Sequence, residues 1–116
     1  MNLDLSQCCP EGFEIEGVTS FQNIKDTVVG KDIICTDSLP SGVADEFQKC
    51  QVTKEALSFA NEGAVLNPCP LFNCGQEVSS DAIDSKYFVG YEFQKRIFEV
   101  EQAIIIFCLT RSFFER

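Results

Sequence analysis

Cysteine is the residue type with the clearest chemical potential in this chain, which contains seven. Cys69 and Cys74 lie in a proline-braced loop with four residues between them, and Cys8 and Cys9 precede Pro10 near the start of the chain. Thiolates from the two clusters could form a tetrahedral zinc site or hold an iron–sulfur cluster. The spacing differs from that of ordinary zinc knuckles. Plain thiols without a cofactor are therefore the main prediction, and a zinc or iron–sulfur site is the alternative.

The absence of histidine from the sequence excludes several kinds of active site. Ser-His-Asp and Cys-His nucleophile systems need an imidazole, and so do His-containing metal sites. The seven glycines are scattered singly, without a phosphate-cradling loop. Carboxylate pairs such as Glu99 and Glu101 are common in any acidic chain. The sequence therefore predicts a protein that is not an enzyme.

Charge is distributed unevenly along the chain, whose net charge is −9. Residues 1–85 hold 14 acidic and 4 basic residues, and residues 86–116 hold 4 acidic and 5 basic residues, which gives −10 and +1. Direct binding to nucleic acid or to an anionic membrane needs a basic surface and is not expected. An acidic docking face is predicted instead, formed by Glu11, Glu14, Glu16, Asp81 and Asp84.

This acidic face predicts an inhibitor, immunity-type protein or adaptor that docks on a basic partner protein. The odd number of cysteines and the lack of a signal-peptide pattern favour the cytoplasm. Cys35, Cys50 and Cys108 are expected to be buried, because each lies in an apolar pattern. A secreted domain with a Cys69–Cys74 disulfide is a further alternative. The oligomeric state stays open.

Five local patterns in the first three quarters of the chain indicate secondary structure. Alternation between glycines predicts a strand over residues 12–17, followed by a short helix up to Gly30 and a second strand over 32–36. Spacing of apolar residues predicts the principal helix over 43–61, which Thr53 could instead divide into two. A helical turn is expected near Ile83.

The last quarter of the chain supports two readings. β-branched and aromatic residues alternate from Lys86 onward, which favours a three-strand antiparallel meander. Residues 91–115 also fit one long helix, because no glycine or proline follows Gly90. Six of the 11 phenylalanines lie here, which predicts the core-forming half. The expected fold is a single acidic α+β domain over residues 1–116, with one principal helix on an antiparallel sheet.

Overall fold

The computed structural model describes residues 3–114 of the protein, and its side chains over residues 3–110. Within that range the named strands form two separate parallel pairs. The first pair joins β1 (Ser6–Cys8) to β2 (Thr19–Phe21), and the second joins β3 (Ile33–Thr36) to β4 (Val65–Pro68). The predicted antiparallel sheet is therefore wrong.

Three short helices and one long helix accompany the strands. They are α1 (Ile24–Val28), α2 (Lys54–Leu57), α3 (Ser80–Ile83) and α4 (Gly90–Phe114), and a single 3-10 turn at Gln48–Cys50 precedes α2. Helices lie between β2 and β3 and between β3 and β4 in the chain. Parallel strands need crossover connections of this kind, because their ends are far apart.

The predicted helix over residues 43–61 is divided at Thr53. The backbone of Thr53 is extended, and its hydroxyl oxygen accepts a hydrogen bond from the Ala56 N–H at 3.1 Å. A threonine in that conformation starts a new helix, because it satisfies one of the amide groups that the first turn leaves unpaired. The single long helix was wrong. A helix does begin after Thr53, but residues 44–50 form turns and the 3-10 turn rather than the first of two shorter helices.

The hydrophobic core surrounds the β3–β4 pair. Leu57 and Leu66 have no exposed surface, and ring side chains from Phe72 and Phe88 pack against the cluster. The buried members are Val28, Ile34, Val52, Leu57, Ala64, Leu66, Val78 and Ala82. All of them precede residue 86, so the C-terminal part of the chain is not the core-forming half.

The C-terminal region is the single helix α4, and the predicted β-meander is wrong. Every side chain described between residues 91 and 110 is exposed. A helix satisfies its own backbone hydrogen bonds, whereas a meander needs a buried face to stabilise it. No helix within residues 3–114 is long and apolar enough to cross a membrane.

The remaining local predictions had mixed outcomes. Residues 12–17 form turns and loop rather than a strand, and β2 occupies residues where the short helix was expected to begin. The strand predicted over 32–36 is confirmed by β3, and the helical turn near Ile83 is confirmed by α3.

Candidate functional site

Two loops leave the β3–β4 pair at the same edge. The Cys69 N–H donates to the Thr36 carbonyl at 3.0 Å, which keeps the two strand ends together. The chain then continues into residues 37–42 after β3 and into residues 69–77 after β4. In open α/β sheets, ligands bind outside the carboxyl ends of the strands. We call these two loops the carboxyl-edge site.

A buried carboxylate connects the two loops of this site. Glu77 is only 4% exposed. One of its oxygens accepts from the Leu39 N–H at 3.0 Å, and the other accepts from the Asn73 N–H at 2.7 Å. Burial by itself would raise the pKa of Glu77, but backbone donors led by Leu39 outweigh it and hold that pKa below its ordinary value. Glu77 therefore stays ionised and fixes the two loops relative to each other.

The loop after β4 is constrained at several points. Leu71 has a positive φ of 69°, which is an unfavourable backbone conformation for a residue with a side chain. Its side chain is 91% exposed. The side-chain amide of Gln51 donates to the Gly75 carbonyl at 2.6 Å, and the Gly75 N–H donates to the Val78 carbonyl at 2.8 Å. These bonds hold the loop in one arrangement.

The carboxyl-edge site carries the exposed carboxylate of Asp37 and the thiols of Cys69 and Cys74, and Cys35 and Thr36 lie directly before it at the end of β3. Asp37 directly follows β3 and accepts a hydrogen bond from the Ser38 N–H at 2.8 Å. Partial desolvation and then the neighbouring Cys69 raise the pKa of Cys35, so its thiol stays protonated at neutral pH. The hydroxyl oxygen of Thr36 is buried and has no hydrogen-bond partner. This arrangement suits a cationic ligand better than thiolate chemistry.

A cavity of about 460 Å³ lies next to the site. Residues of β1 and β3 line it, and it extends to Asp37, Leu39 and Glu77 at the carboxyl edge. The cavity therefore separates the two parallel strand pairs and opens towards the loops.

The predicted cysteine site is not assembled in the described part of the chain. Cys8 lies beside Cys50, with 2.8 Å between their sulfur atoms, whereas Cys69 neighbours Cys35. Over residues 3–114, no group of three or more cysteine or carboxylate side chains is arranged to hold a metal ion. The four cysteines considered for zinc, Cys8, Cys9, Cys69 and Cys74, are all free thiols. The structure therefore offers no support for the zinc or iron–sulfur alternative.

The cysteines also differ in burial from the prediction. Cys35 and Cys108 are exposed and Cys50 is half-buried, while Cys9 is the buried one. Burial and then the adjacent Cys8 raise the pKa of Cys50 to about 12. Cys50 is therefore a protonated, unreactive thiol at neutral pH.

The five acidic residues of the predicted docking face lie in two parts of the chain, three in one segment and two at α3. The strand that was to align Glu14 with Glu16 does not form, and both residues lie with Glu11 in a turn-rich exposed segment. Asp81 belongs to α3 and Asp84 directly follows it. A hydrogen bond from the Ser79 hydroxyl lowers the pKa of Asp81. Secondary structure therefore does not bring these residues onto one face.

The comparisons with known proteins identify a relative for most of the chain. No family model matches. The chain is 25% identical to an ornithine carbamoyltransferase from Methanobrevibacter smithii, over 90% of this chain and 43% of that protein. It thus spans less than half the length of this curated relative.

Solved structures give the fold. An anabolic ornithine carbamoyltransferase from Campylobacter jejuni matches 92% of this chain and 43% of its own, with a TM-score of 0.77 and 19% identity. The enzyme from Burkholderia thailandensis matches 84% of this chain and 36% of its own, with a TM-score of 0.70 and 23% identity. The fold is therefore an α/β, Rossmann-like domain, which corrects the predicted α+β class.

These similarities also overturn the functional prediction. The relative and the structural neighbours are enzymes, so the expectation of a non-enzymatic inhibitor, immunity-type protein or adaptor was wrong. Nothing among them supports a basic protein partner. Sequence reasoning missed Asp37 and Glu77, although the position of Asp37 directly after a strand could have indicated it.

Proposed function

We propose that these residues form the part of a carbamoyltransferase-type enzyme that binds the amine substrate, with ornithine or a closely similar diamine as that substrate. The similarity to an ornithine carbamoyltransferase along 90% of the chain is the observation that carries the proposal. Because the chain spans 43% of that relative, the proposal covers one part of the enzyme and leaves the carbamoyl donor to the rest.

The charge of the chain supports the proposal that this part of the enzyme binds the amine substrate rather than the carbamoyl donor. Residues 1–85, which include the whole carboxyl-edge site, have a net charge of −10. A cleft with negative surroundings concentrates cations and repels anions. The sequence also lacks the glycine-rich loop that commonly cradles phosphate groups. Ornithine carries ammonium groups, which such a site attracts.

Asp37 is the residue that we expect to contact the substrate. Its carboxylate is exposed at the end of β3, at the edge where ligands of such sheets bind. A charge-assisted hydrogen bond from a substrate ammonium to Asp37 would orient the amine. Glu77 would contribute indirectly, by fixing the loops on either side of the substrate.

Carbamoyl transfer requires the amine nitrogen to lose a proton to a base and form a bond to the carbamoyl carbon, while the bond from that carbon to the leaving group of the donor breaks and the leaving group departs with the bonding electrons. The pKa of the Cys35 thiol is raised, so a Cys35 thiolate is not available as the base at neutral pH. The role of this part of the enzyme is then to hold and orient the amine. Orientation of two reactants is itself a large contribution to catalysis.

A binding experiment tests the proposal. L-ornithine titrated calorimetrically into the 116-residue chain is expected to give saturable heat, and Asp37→Asn should weaken the affinity about tenfold, equivalent to about 1.4 kcal/mol. Asp84→Asn is the matched control, because it removes the same charge from an exposed position outside the carboxyl-edge site. An absence of saturable heat, or equal weakening by both substitutions, would contradict the proposal.

The state of the cysteines supports a proposed location. All seven are free thiols, which is the usual state in a reducing compartment. We propose a cytoplasmic location on this ground.

A further inference from the structure

We propose that the cavity between β1 and β3 is an acceptor slot for one additional parallel β-strand. The strand would come from a stretch of carbamoyltransferase-type polypeptide that these 116 residues do not include. The proposal goes beyond the proposed ornithine site and does not depend on it.

Hydrogen-bond directions show that β3 has one unused edge. The carbonyl of Asp32 accepts from the Val65 N–H of β4 at 2.9 Å, and that of Thr36 accepts from the N–H of Cys69, which directly follows β4, at 3.0 Å. Backbone groups alternate in direction along a strand, so those of Ile33 and Cys35 point the opposite way, towards the cavity. Among the described residues, β3 pairs with β4 and with no other strand.

The facing edge of β1 has the same property. The Cys9 N–H donates to the Phe21 carbonyl of β2 at 3.0 Å, which directs Cys9 towards β2. By alternation, the backbone groups of Ser6 and Cys8 point towards the cavity. In the described structure β1 pairs only with β2. Two strands that both line the cavity thus have edges with unpaired donors and acceptors, and a strand between them would satisfy both edges.

The order of the strands identifies which one is missing. The classic doubly wound sheet has the order 3-2-1-4-5-6, with the first strand in the centre. The two pairs place β2, β1, the cavity, β3 and β4 in that order. In that order β2 and β1 correspond to the third and second strands of the classic sheet, and β3 and β4 correspond to the fourth and fifth. The cavity then lies where the classic sheet has its central first strand. The additional strand would join the two pairs into one continuous parallel sheet.

The lining of the cavity indicates the chemistry of the strand. A central strand of a parallel sheet is covered on both faces and is therefore almost entirely apolar. Charged side chains contribute to the lining, but eight aliphatic side chains form much of it, namely Leu5, Ile15, Ile24, Val28, Ile33, Ile34, Leu39 and Val52. The unpartnered hydroxyl of Thr36 also lines it. We therefore expect an extended segment of valine and isoleucine that pairs over about four residues, the length of β3.

The source of the strand follows from the coverage of the relatives. The Methanobrevibacter smithii protein is matched over only 43% of its length, as is the Campylobacter jejuni structure. Sequence corresponding to the rest of these proteins is available to supply a strand. Pairing between two copies of this chain is the competing outcome, and the experiment distinguishes it.

The test uses the peptide acetyl-Lys-Val-Val-Ile-Val-Lys-amide and amide hydrogen exchange in the ¹⁵N-labelled chain. Saturating peptide is expected to slow exchange about tenfold or more at Ser6, Cys8, Ile33 and Cys35, because their N–H groups gain acceptors. Exchange at Ile34 should not change, because that amide already faces β4. A control peptide with proline at alternate valines cannot donate and should have no effect.

A pair of protein variants gives a second readout. Cys35→Pro removes an N–H that faces the slot, so the protein should fold and fail to respond to the peptide. Ile34→Pro removes an N–H that faces β4 and should disrupt folding. If both variants fail to fold, the hydrogen-exchange result with the peptide on the unaltered chain decides whether the cavity accepts a strand.

Three results with the peptide would overturn the proposal. They are no protection at saturating peptide, equal protection by the proline peptide, and protection confined to residues outside β1 and β3. Protection of the four amides by a rise in protein concentration alone would assign the slot to a second copy and would also overturn it. Ornithine takes no part in the experiment, so failure here leaves the proposed amine site standing.

Discussion

At the scale of single residues, Glu77 explains how two loops become one site. Its two carboxylate oxygens accept from amides in different loops, and it is almost fully buried. A buried carboxylate is stable only when donors compensate its charge, and Glu77 has them. The geometry of the carboxyl-edge site therefore depends on a residue that contacts no ligand in the proposed mode of binding.

Glu77→Gln should lower the free energy of unfolding by about 2 kcal/mol, because one amide loses an acceptor and faces a donor instead. Urea denaturation measures this change. Glu62→Gln is the control, since Glu62 is exposed, and it should change stability by less than about 0.5 kcal/mol. Similar effects from both substitutions would show that Glu77 does not connect the loops.

The same residue predicts a dependence on pH. The pKa of Glu77 is lower in the folded chain than its ordinary value, so the unfolded chain binds more protons as the pH falls. Its contribution to stability is fully present above about pH 5 and is lost as the pH falls through the folded pKa. The difference between the original chain and Glu77→Gln should therefore shrink in acid. A constant difference from pH 7 to pH 3 would contradict this.

Sequence alone could give the residue types at this site but not their assembly. Asp37 directly follows an apolar run that was correctly predicted as a strand, so its position was within reach. Glu77 follows no strand, and its partners Leu39 and Asn73 are separated from it by 38 and 4 residues. Only the folded chain brings all three together.

At the scale of elements, α4 is the feature that local sequence left undecided. Its residues alternate as in a strand and also repeat as in a helix. Strand propensity is realised only when other strands and a buried face are present. The first turn of α4 contacts the rest of the protein, where the Phe88 and Tyr91 rings lie 4.9 Å apart, but all described side chains over residues 91–110 are exposed.

Ile105→Gln should therefore leave the free energy of unfolding unchanged within about 0.5 kcal/mol. Ile105 is 57% exposed, whereas Leu66 is fully buried in the core. Leu66→Ala, a comparable loss of apolar surface, should cost about 3 kcal/mol. Thermal or urea unfolding measures both. A large loss with Ile105→Gln would show that α4 packs against the core after all.

The other elements divide according to whether their signals were local. Strand β3, helix α3 and the break at Thr53 all follow from residues within a few positions, and these were predicted. The direction of pairing was not predictable, because it depends on crossovers and on which strands become neighbours. The parallel register of Ile33 with Val65 joins residues 32 positions apart.

At the scale of the whole molecule, the chain is extended rather than compact. Its radius of gyration is 16.6 Å over the Cα atoms, whereas a compact chain of this length has about 13 Å. The protruding α4 and the cavity between the sheets both contribute. Composition could not reveal this shape, because 45% apolar residues suggest an ordinary globular domain.

The central claim is that β3 and β4 are parallel, which places Asp37 and the loop after β4 at one edge. Nuclear Overhauser contacts between backbone protons measure this most directly. We predict contacts that link Ile34 with Leu66 and Thr36 with Cys69, in a register where both strands run the same way. Antiparallel contacts between these strands, or strand contacts within residues 91–108, would contradict the account.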